Sequence, residues 1–256
     1  MKVASGAVLE VVPPHALWVS RHDRPAERWP DWSRNGAVRA AAAEMGLDLA
    51  RVERLLEEEP RLRTWFERLG RREAVLAYVP AVPPSGEPAF ILSCWAGGYS
   101  QRLRWFMTLT GRKPAPGSDK THPFWLVETD GLPDDLQLAV GVREGVLVLV
   151  ISREAGDAMR LCLDAADHLR ARPFRFDPEG TAPDRAWLRL GDGEEWRVAV
   201  RELTPDRIRL TARRERGWSE ELTAPAAGVP AVLARLLEKA DGSITAPWSA
   251  IRNALL

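Results

Sequence analysis

The 256-residue chain has 36 basic and 36 acidic side chains, so a zero formal net charge argues against a protein built as a general polyanion binder. Its hydrophobic fraction of 45% and charged fraction of 28% exclude a disordered or fibrous chain. No apolar run reaches the ~18 residues of a membrane span. Glu10, Pro13 and Pro14 interrupt the N-terminal apolar stretch too early for a secretory signal. We expect a soluble protein, cytoplasmic if Met1 is the native start and extracytoplasmic if the chain is a piece of a longer one.

The first quarter of the chain predicts a strand followed by three helices. Residues 16–20 form the strand, and the polar run of residues 21–24 follows it. The first helix spans residues 38–45 and ends at Gly46. Asp48 predicts the N-cap of the second helix, whose inner face is residues 52, 55 and 56. Pro60 begins the third helix, with its inner face at residues 62, 65, 66 and 69.

The middle of the chain predicts two groups of strands, each followed by a helix. Residues 74–79 and 89–95 pair across a proline-rich loop. Ser100 predicts the N-cap of the next helix, with Leu103, Phe106 and Met107 directed inward and Gly111 at its end. Three strands come next, and a helix of residues 158–169 follows them. The three strands span residues 124–128, 136–142 and 146–152, and a hairpin turn at residues 143–145 joins the last two.

The C-terminal third predicts a half-exposed antiparallel meander of strands at residues 186–190, 196–203 and 207–212. Pro230 begins a helix that Gly242 ends, and residues 248–256 form a short amphipathic helix. The predicted fold class is α+β, with a mixed, mostly antiparallel sheet, flanking helices and a β-rich C-terminal portion. The predicted division is a main α+β domain of residues 1–172 and a smaller meander-plus-helix portion of residues 173–256, which is either a second domain or part of the same one.

One succession of elements carries a family resemblance. It runs from the Leu-Trp-Val strand at residues 17–19 through helices, a strand pair and a helix to the run Leu-Val-Leu-Val-Ile-Ser-Arg at residues 147–153 and its helix. Over residues 10–170 this order resembles uncharacterised bacterial proteins, often secreted or membrane-anchored, that carry repeated α+β modules. The resemblance has no catalytic signature and assigns no functional residue. We expect this chain to lack the leader that such proteins usually have.

The candidate catalytic residues are His22 and Asp23, which end the first strand in a stretch where polar side chains could line a cleft. Such a pair needs a partner from elsewhere in the fold. Ser152 and Arg153 supply one if the strand of residues 146–152 lies beside the first strand. The alternative is a solvated strand end. One helix face carries Asp164, Asp167 and His168. These residues suit either a metal site or a solvent-exposed face of ion pairs, and their spacing favours the ion pairs.

The candidate binding residues are Arg21, Ser152, Arg153 and Trp218. Trp218 follows an arginine-rich segment that suits an anionic polymer, although neighbouring glutamates dilute its charge. Cys94 and Cys162 lie in apolar surroundings without metal or redox spacing, which predicts buried free thiols, while a disulfide stays open for an oxidising compartment.

These patterns favour a non-enzymatic binding or assembly module, because apolar periodicity fills the chain without converging reactive groups. We expect no cofactor and no metal site, and a partner that is another protein or a second copy of the chain. The alternatives are a hydrolase-like enzyme with its site at the end of the first strand, and a nucleic-acid contact through the arginine-rich C-terminal hairpin. A binding module is expected to expose an apolar patch or a strand edge.

Overall fold

The computed structural model describes residues 7–36, 38–39, 43, 48–116, 118, 121–127, 135–168, 182–189, 195–205, 207–214 and 219–225. Its contacts divide the chain into two units. Unit 1 comprises residues 1–19, 72–174 and 255, and unit 2 comprises residues 20–71, 175–254 and 256. The division into residues 1–172 and 173–256 stays a prediction.

The described elements of unit 1 are β2 (Glu73–Val82), β3 (Glu87–Trp95), α4 (Gly98–Leu109), β4 (Phe124–Val127), β5 (Gln137–Arg143), β6 (Val146–Ser152) and α5 (Ala155–His168). The strands form an antiparallel sheet in the order β2-β3-β6-β5-β4. A single turn of 3-10 helix at Ala7–Leu9 contacts β2 and β3, and α5 packs on β5 and β6.

The close approach of α5 to the sheet of unit 1 depends on Gly141 in β5. A Cβ atom at this position would lie 2.6 Å from the Sδ atom of Met159 on α5. Both faces of β6 are largely buried, as its continuous apolar run predicts. The hairpin between β5 and β6 turns through Glu144 and Gly145, which both have positive φ values, and this confirms the predicted turn.

The described residues of unit 2 form the helices α1 (Pro25–Arg34), α2 (Leu49–Glu58) and α3 (Pro60–Leu69) and the strands β7 (Asp184–Arg189), β8 (Glu195–Thr204), β9 (Arg207–Arg214) and β10 (Ser219–Pro225). The strands form an antiparallel ladder in the order β7-β8-β9-β10. The strand β1 (Trp18–Asp23) crosses from unit 1 into unit 2. Within unit 2 the Asp23 amide donates a 2.7 Å hydrogen bond to the carbonyl of Pro183, just before β7.

The α+β class and the antiparallel sheets are confirmed. Asp48 caps α2 as predicted, because its carboxylate accepts hydrogen bonds from the amides of Ala50 (2.9 Å) and Arg51 (3.2 Å). Pro60 occupies the first turn of α3. The strand β10 was not predicted, because its Ser-Glu-Glu-Leu-Thr-Ala-Pro sequence has little of the apolar alternation that identifies a strand.

Several details of the helices differ from prediction. The helix α1 was not predicted. Phe106 is exposed instead of inward, and Leu55, Leu62 and Trp65 are exposed where an inner face was expected. The helix α4 begins at Gly98 after an N-cap at Gly97, whose positive φ only glycine adopts readily, so Ser100 is already inside the helix. The predicted helices that begin near residues 38, 230 and 248 lie mostly or wholly outside the described residues.

Candidate functional site

The side chain of His22 is the centre of a hydrogen-bonded network in unit 2. Its Nδ1 atom lies 3.0 Å from Oδ1 of Asp184 at the start of β7, and its Nε2 atom lies 2.9 Å from Oγ of Ser20. Ser20 and His22 share one face of β1, because side chains two residues apart in a strand project to the same side. Ser20 and Asp184 are buried, with 3% and 4% of their surface exposed.

The helix α1 completes this network with two residues one turn apart. Arg28 places its guanidinium 2.5 Å from Oδ2 of Asp184, and Trp32 packs edge-on against the imidazole of His22 with ring centroids 4.8 Å apart. Residues four apart lie on the same helix face, so one face of α1 supplies both contacts. Pro25 in the first turn sets the backbone for helix formation at this point.

The hydrogen bonds determine which tautomer of His22 fits the network. An ionised Asp184, paired with Arg28, can only accept protons, so Nδ1 of the imidazole must donate to it. In the neutral imidazole Nε2 then accepts the hydroxyl proton of Ser20. This order of serine, histidine and aspartate is the order in which a serine nucleophile is activated in hydrolases.

The structure does not bring the predicted pair of His22 and Asp23 together. Adjacent residues in a strand project to opposite faces, and Asp23 lies 3.8 Å from Nε of Arg21 on the other side of β1. The partner of His22 is Asp184, which is 162 positions away in the sequence. The catalytic role of His22 and Asp23 and the binding role of Arg21 stay predictions.

A joint role with His22 requires the strand of Ser152 and Arg153 to lie beside β1, and it does not. The strand β6 pairs with β3 along one edge and with β5 along the other, so neither edge is open to another strand. The hydroxyl of Ser152 donates to the carbonyl of Pro88 at 2.8 Å and accepts from the amide of Glu154. Arg153 is exposed and pairs with Asp135 at 3.0 Å. Ser152 therefore anchors the start of α5.

The remaining predicted sites are only partly described. Trp218 lies outside the described residues, and so do the side chains of Asp167 and His168. Asp164 is exposed on α5. Within the described part of the chain, no group of three or more histidine, cysteine, aspartate or glutamate side chains is arranged to hold a metal ion.

Both cysteines are buried free thiols. Cys94 lies on β3 and Cys162 on α5. Burial raises the pKa of Cys94 to about 12 and raises the pKa of Cys162 further. Thiols in this state are poor nucleophiles, so neither cysteine is a candidate for catalysis.

A second candidate site is an apolar surface on α4 in unit 1, which sequence reasoning missed. We call it the α4 surface and define it by Trp105, Phe106 and Leu109, which expose 69%, 60% and 80% of their area. Leu109 lies about one turn after both Trp105 and Phe106, so the three side chains project from about 100° of the helix circumference. The opposite face packs inward through the buried residues Ser100 and Met107.

Both ends of the α4 surface are fixed to the rest of unit 1. At the N-terminus the amides of Ala96 and Gly97 both donate to the carbonyl of Gly145, at 2.9 Å. At the C-terminus Gly111 has a positive φ, and the amide of Arg112 donates to the carbonyl of Met107, which is a Schellman cap. The indole of Trp125 on β4 donates to the carbonyl of Arg112. The exposed side chains therefore stand on an anchored helix.

No protein-family model, curated protein or solved structure matches the chain. Among the described helices, none combines the length and the apolar character needed to cross a membrane.

Proposed function

We propose that this protein is a non-enzymatic binding module and that the α4 surface is its contact site. The observation that supports the proposal is the exposure of Trp105, Phe106 and Leu109 on one face of an anchored helix. Single exposed apolar residues are normal on protein surfaces, whereas adjacent large ones mark contact sites. The partner therefore presents apolar groups to this surface.

The size of the α4 surface determines what kind of contact it can make. Burying one large apolar side chain stabilises a contact by about 1.5–3 kcal/mol. With 60–80% of each side chain exposed, burying all three contributes about 3–6 kcal/mol before the entropic cost of association. A contact of this strength is reversible unless further interactions, such as ion pairs at its border, add to it.

The test is a photo-reactive amino acid at position 106, introduced into the full-length protein in the cells that produce it. We expect cross-links to a protein or a lipid, because Phe106 is one of the three exposed side chains that define the α4 surface. The matched control carries the same amino acid at Arg61, an exposed position on α3 in unit 2. Equal cross-linking from positions 106 and 61 would contradict the proposal.

A hydrolase is the second candidate function, and the chain of hydrogen bonds from Ser20 through His22 to Asp184 supports it. Two observations rank it second. Ser20 is 3% exposed, which hinders its attack on a substrate. Asp184 also forms an ion pair with Arg28, and this contact is typical of a structural ion pair.

A fluorophosphonate probe tests the hydrolase directly. In an enzyme, Oγ of Ser20 would attack the phosphorus atom, fluoride would leave, and the hydroxyl proton would pass to Nε2 of His22. Labelling of the native protein that Ser20→Ala and His22→Ala abolish and Asp23→Asn preserves would establish this function. A native protein that stays unlabelled would reject it.

A further inference from the structure

The border of the α4 surface is cationic. Arg102 lies one turn before Trp105 on the same face of α4, and Arg112 and Lys113 follow the cap of the helix at Thr110 and Gly111. All three are exposed. The sequence from residue 96 to residue 116 contains no aspartate or glutamate. A partner of the α4 surface therefore has to combine apolar groups with negative charge.

This charge argues against a second copy of the chain as the partner. In a symmetric dimer the same patch forms both sides of the contact, so Arg102, Arg112 and Lys113 of both copies would lie in one small interface that no acidic residue between positions 96 and 116 neutralises. Like charges brought together at an interface oppose association.

The size of the surface argues against a large protein interface. A stable protein–protein interface involves about 20–30 residues on each side. Here three apolar side chains project from the helix, and Thr108 and Thr110 beside them are polar and exposed. Leu109, at 80% exposure, stands out from its surroundings and does not lie in a groove.

The same features suit the surface of a bilayer. Helices that lie in a membrane interface place Trp, Phe and Leu among the acyl chains and surround them with Arg and Lys. The indole ring of tryptophan favours the level of the headgroups. The 12 residues of α4 extend only about 18 Å, which is shorter than the hydrocarbon core of a bilayer, so the helix lies along such a surface and does not span it.

We infer that the α4 surface binds peripherally to an anionic lipid membrane. In this arrangement Trp105, Phe106 and Leu109 enter the interface, and Arg102 on the helix and Arg112 and Lys113 beyond its C-terminus contact lipid phosphates. The inference rests on the proposed binding function and names its partner.

The experiment is co-sedimentation of the full-length protein with vesicles. One set is phosphatidylcholine alone, and the other is phosphatidylcholine and phosphatidylglycerol in equal parts. We expect at least about tenfold tighter binding to the anionic vesicles, because each cation near the surface adds attraction, and a loss of this preference as salt is added.

Two variants separate the contributions. Replacing Trp105, Phe106 and Leu109 by serine removes the apolar contact and is expected to lower binding by about tenfold or more. Replacing Arg102, Arg112 and Lys113 by glutamine is expected to abolish the preference for anionic vesicles. The matched control, Leu55→Ser with Leu62→Ser, changes exposed apolar residues on α2 and α3 and is expected to leave binding unchanged.

Absent binding, equal binding to both vesicle sets, or an equal loss in the control variant overturns the inference. If vesicles do not bind while position 106 cross-links to a protein in cells, the lipid partner is wrong and the binding function stands. If position 106 also fails to cross-link above the control at position 61, both are wrong.

Discussion

The substitution Asp184→Ala tests whether the His22 network holds unit 2 together. The carboxylate lies 2.5 Å from Arg28 and 3.0 Å from His22, and its side chain is 5% exposed. Its removal leaves the guanidinium of Arg28, itself 17% exposed, without this counter-charge in a poorly solvated place. Breaking one end of a buried ion pair costs about 3–5 kcal/mol. We expect about 3 kcal/mol, because Arg28 retains some contact with water.

Urea unfolding followed by circular dichroism measures this free energy. The double variant Arg28→Met with Asp184→Ala removes both charges, so we expect it to be less destabilised than Asp184→Ala alone. The matched control is Glu67→Ala on α3, which breaks a 2.9 Å ion pair with Arg63 between side chains that are 46% and 63% exposed. An exposed pair of this kind contributes about 0.5 kcal/mol.

Two results would refute the reasoning. A cost for Asp184→Ala no larger than that of Glu67→Ala would mean that the ion pair is solvated. A double variant as unstable as the single one would mean that the cost comes from the lost hydrogen bond to His22 and not from the stranded charge of Arg28.

Three further predictions concern unit 1 and the cap of α2. Glu144→Asn is expected to stabilise the protein by about 0.5–1 kcal/mol in thermal or urea unfolding, because Glu144 has a φ of 44° and asparagine tolerates this left-handed conformation. Asp48→Ala is expected to cost about 1 kcal/mol, and an unchanged stability would show that the cap is replaced by water. Neither Cys94 nor Cys162 is expected to react with a disulfide reagent at about pH 8 until the protein is unfolded, since the reactive thiolate is scarce in buried thiols with raised pKa values. Rapid labelling of the native protein would contradict the burial of these thiols.

Local signals in the sequence predict most elements of the fold. The cap at Asp48, the turn at Gly145 and the apolar run of β6 each depend on residues close to one another in the chain, so a sequence pattern is enough to identify them. β10 lacks such a pattern. Its strand conformation depends on pairing with β9 and not on its own side chains.

The His22 network shows where this local information ends. The position of His22 at the end of an apolar strand identified it as a candidate. The strand β1 includes both His22 and Asp23, so its period of two places them on opposite faces. The actual partner of His22, Asp184, comes from β7, and no pattern near His22 encodes that pairing. On α1 the sequence does contain a signal. Arg28 and Trp32 are four residues apart, and this spacing predicts that both lie on one helix face.

The α4 surface was missed for a different reason. The helix has apolar residues on more than one face, so periodicity predicts the helix but does not decide which face packs inward. The face that packs inward is set by anchors outside the helix. The carbonyl of Gly145 holds its N-terminal end and the indole of Trp125 holds its C-terminal end, so that Met107 faces the interior and Phe106 faces solvent. Since the same anchors hold both ends of α4, burial of Phe106 inside unit 1 would require them to break. Its apolar surface can therefore be covered from outside without unfolding the helix, and this is the physical reason to look for its partner beyond unit 1.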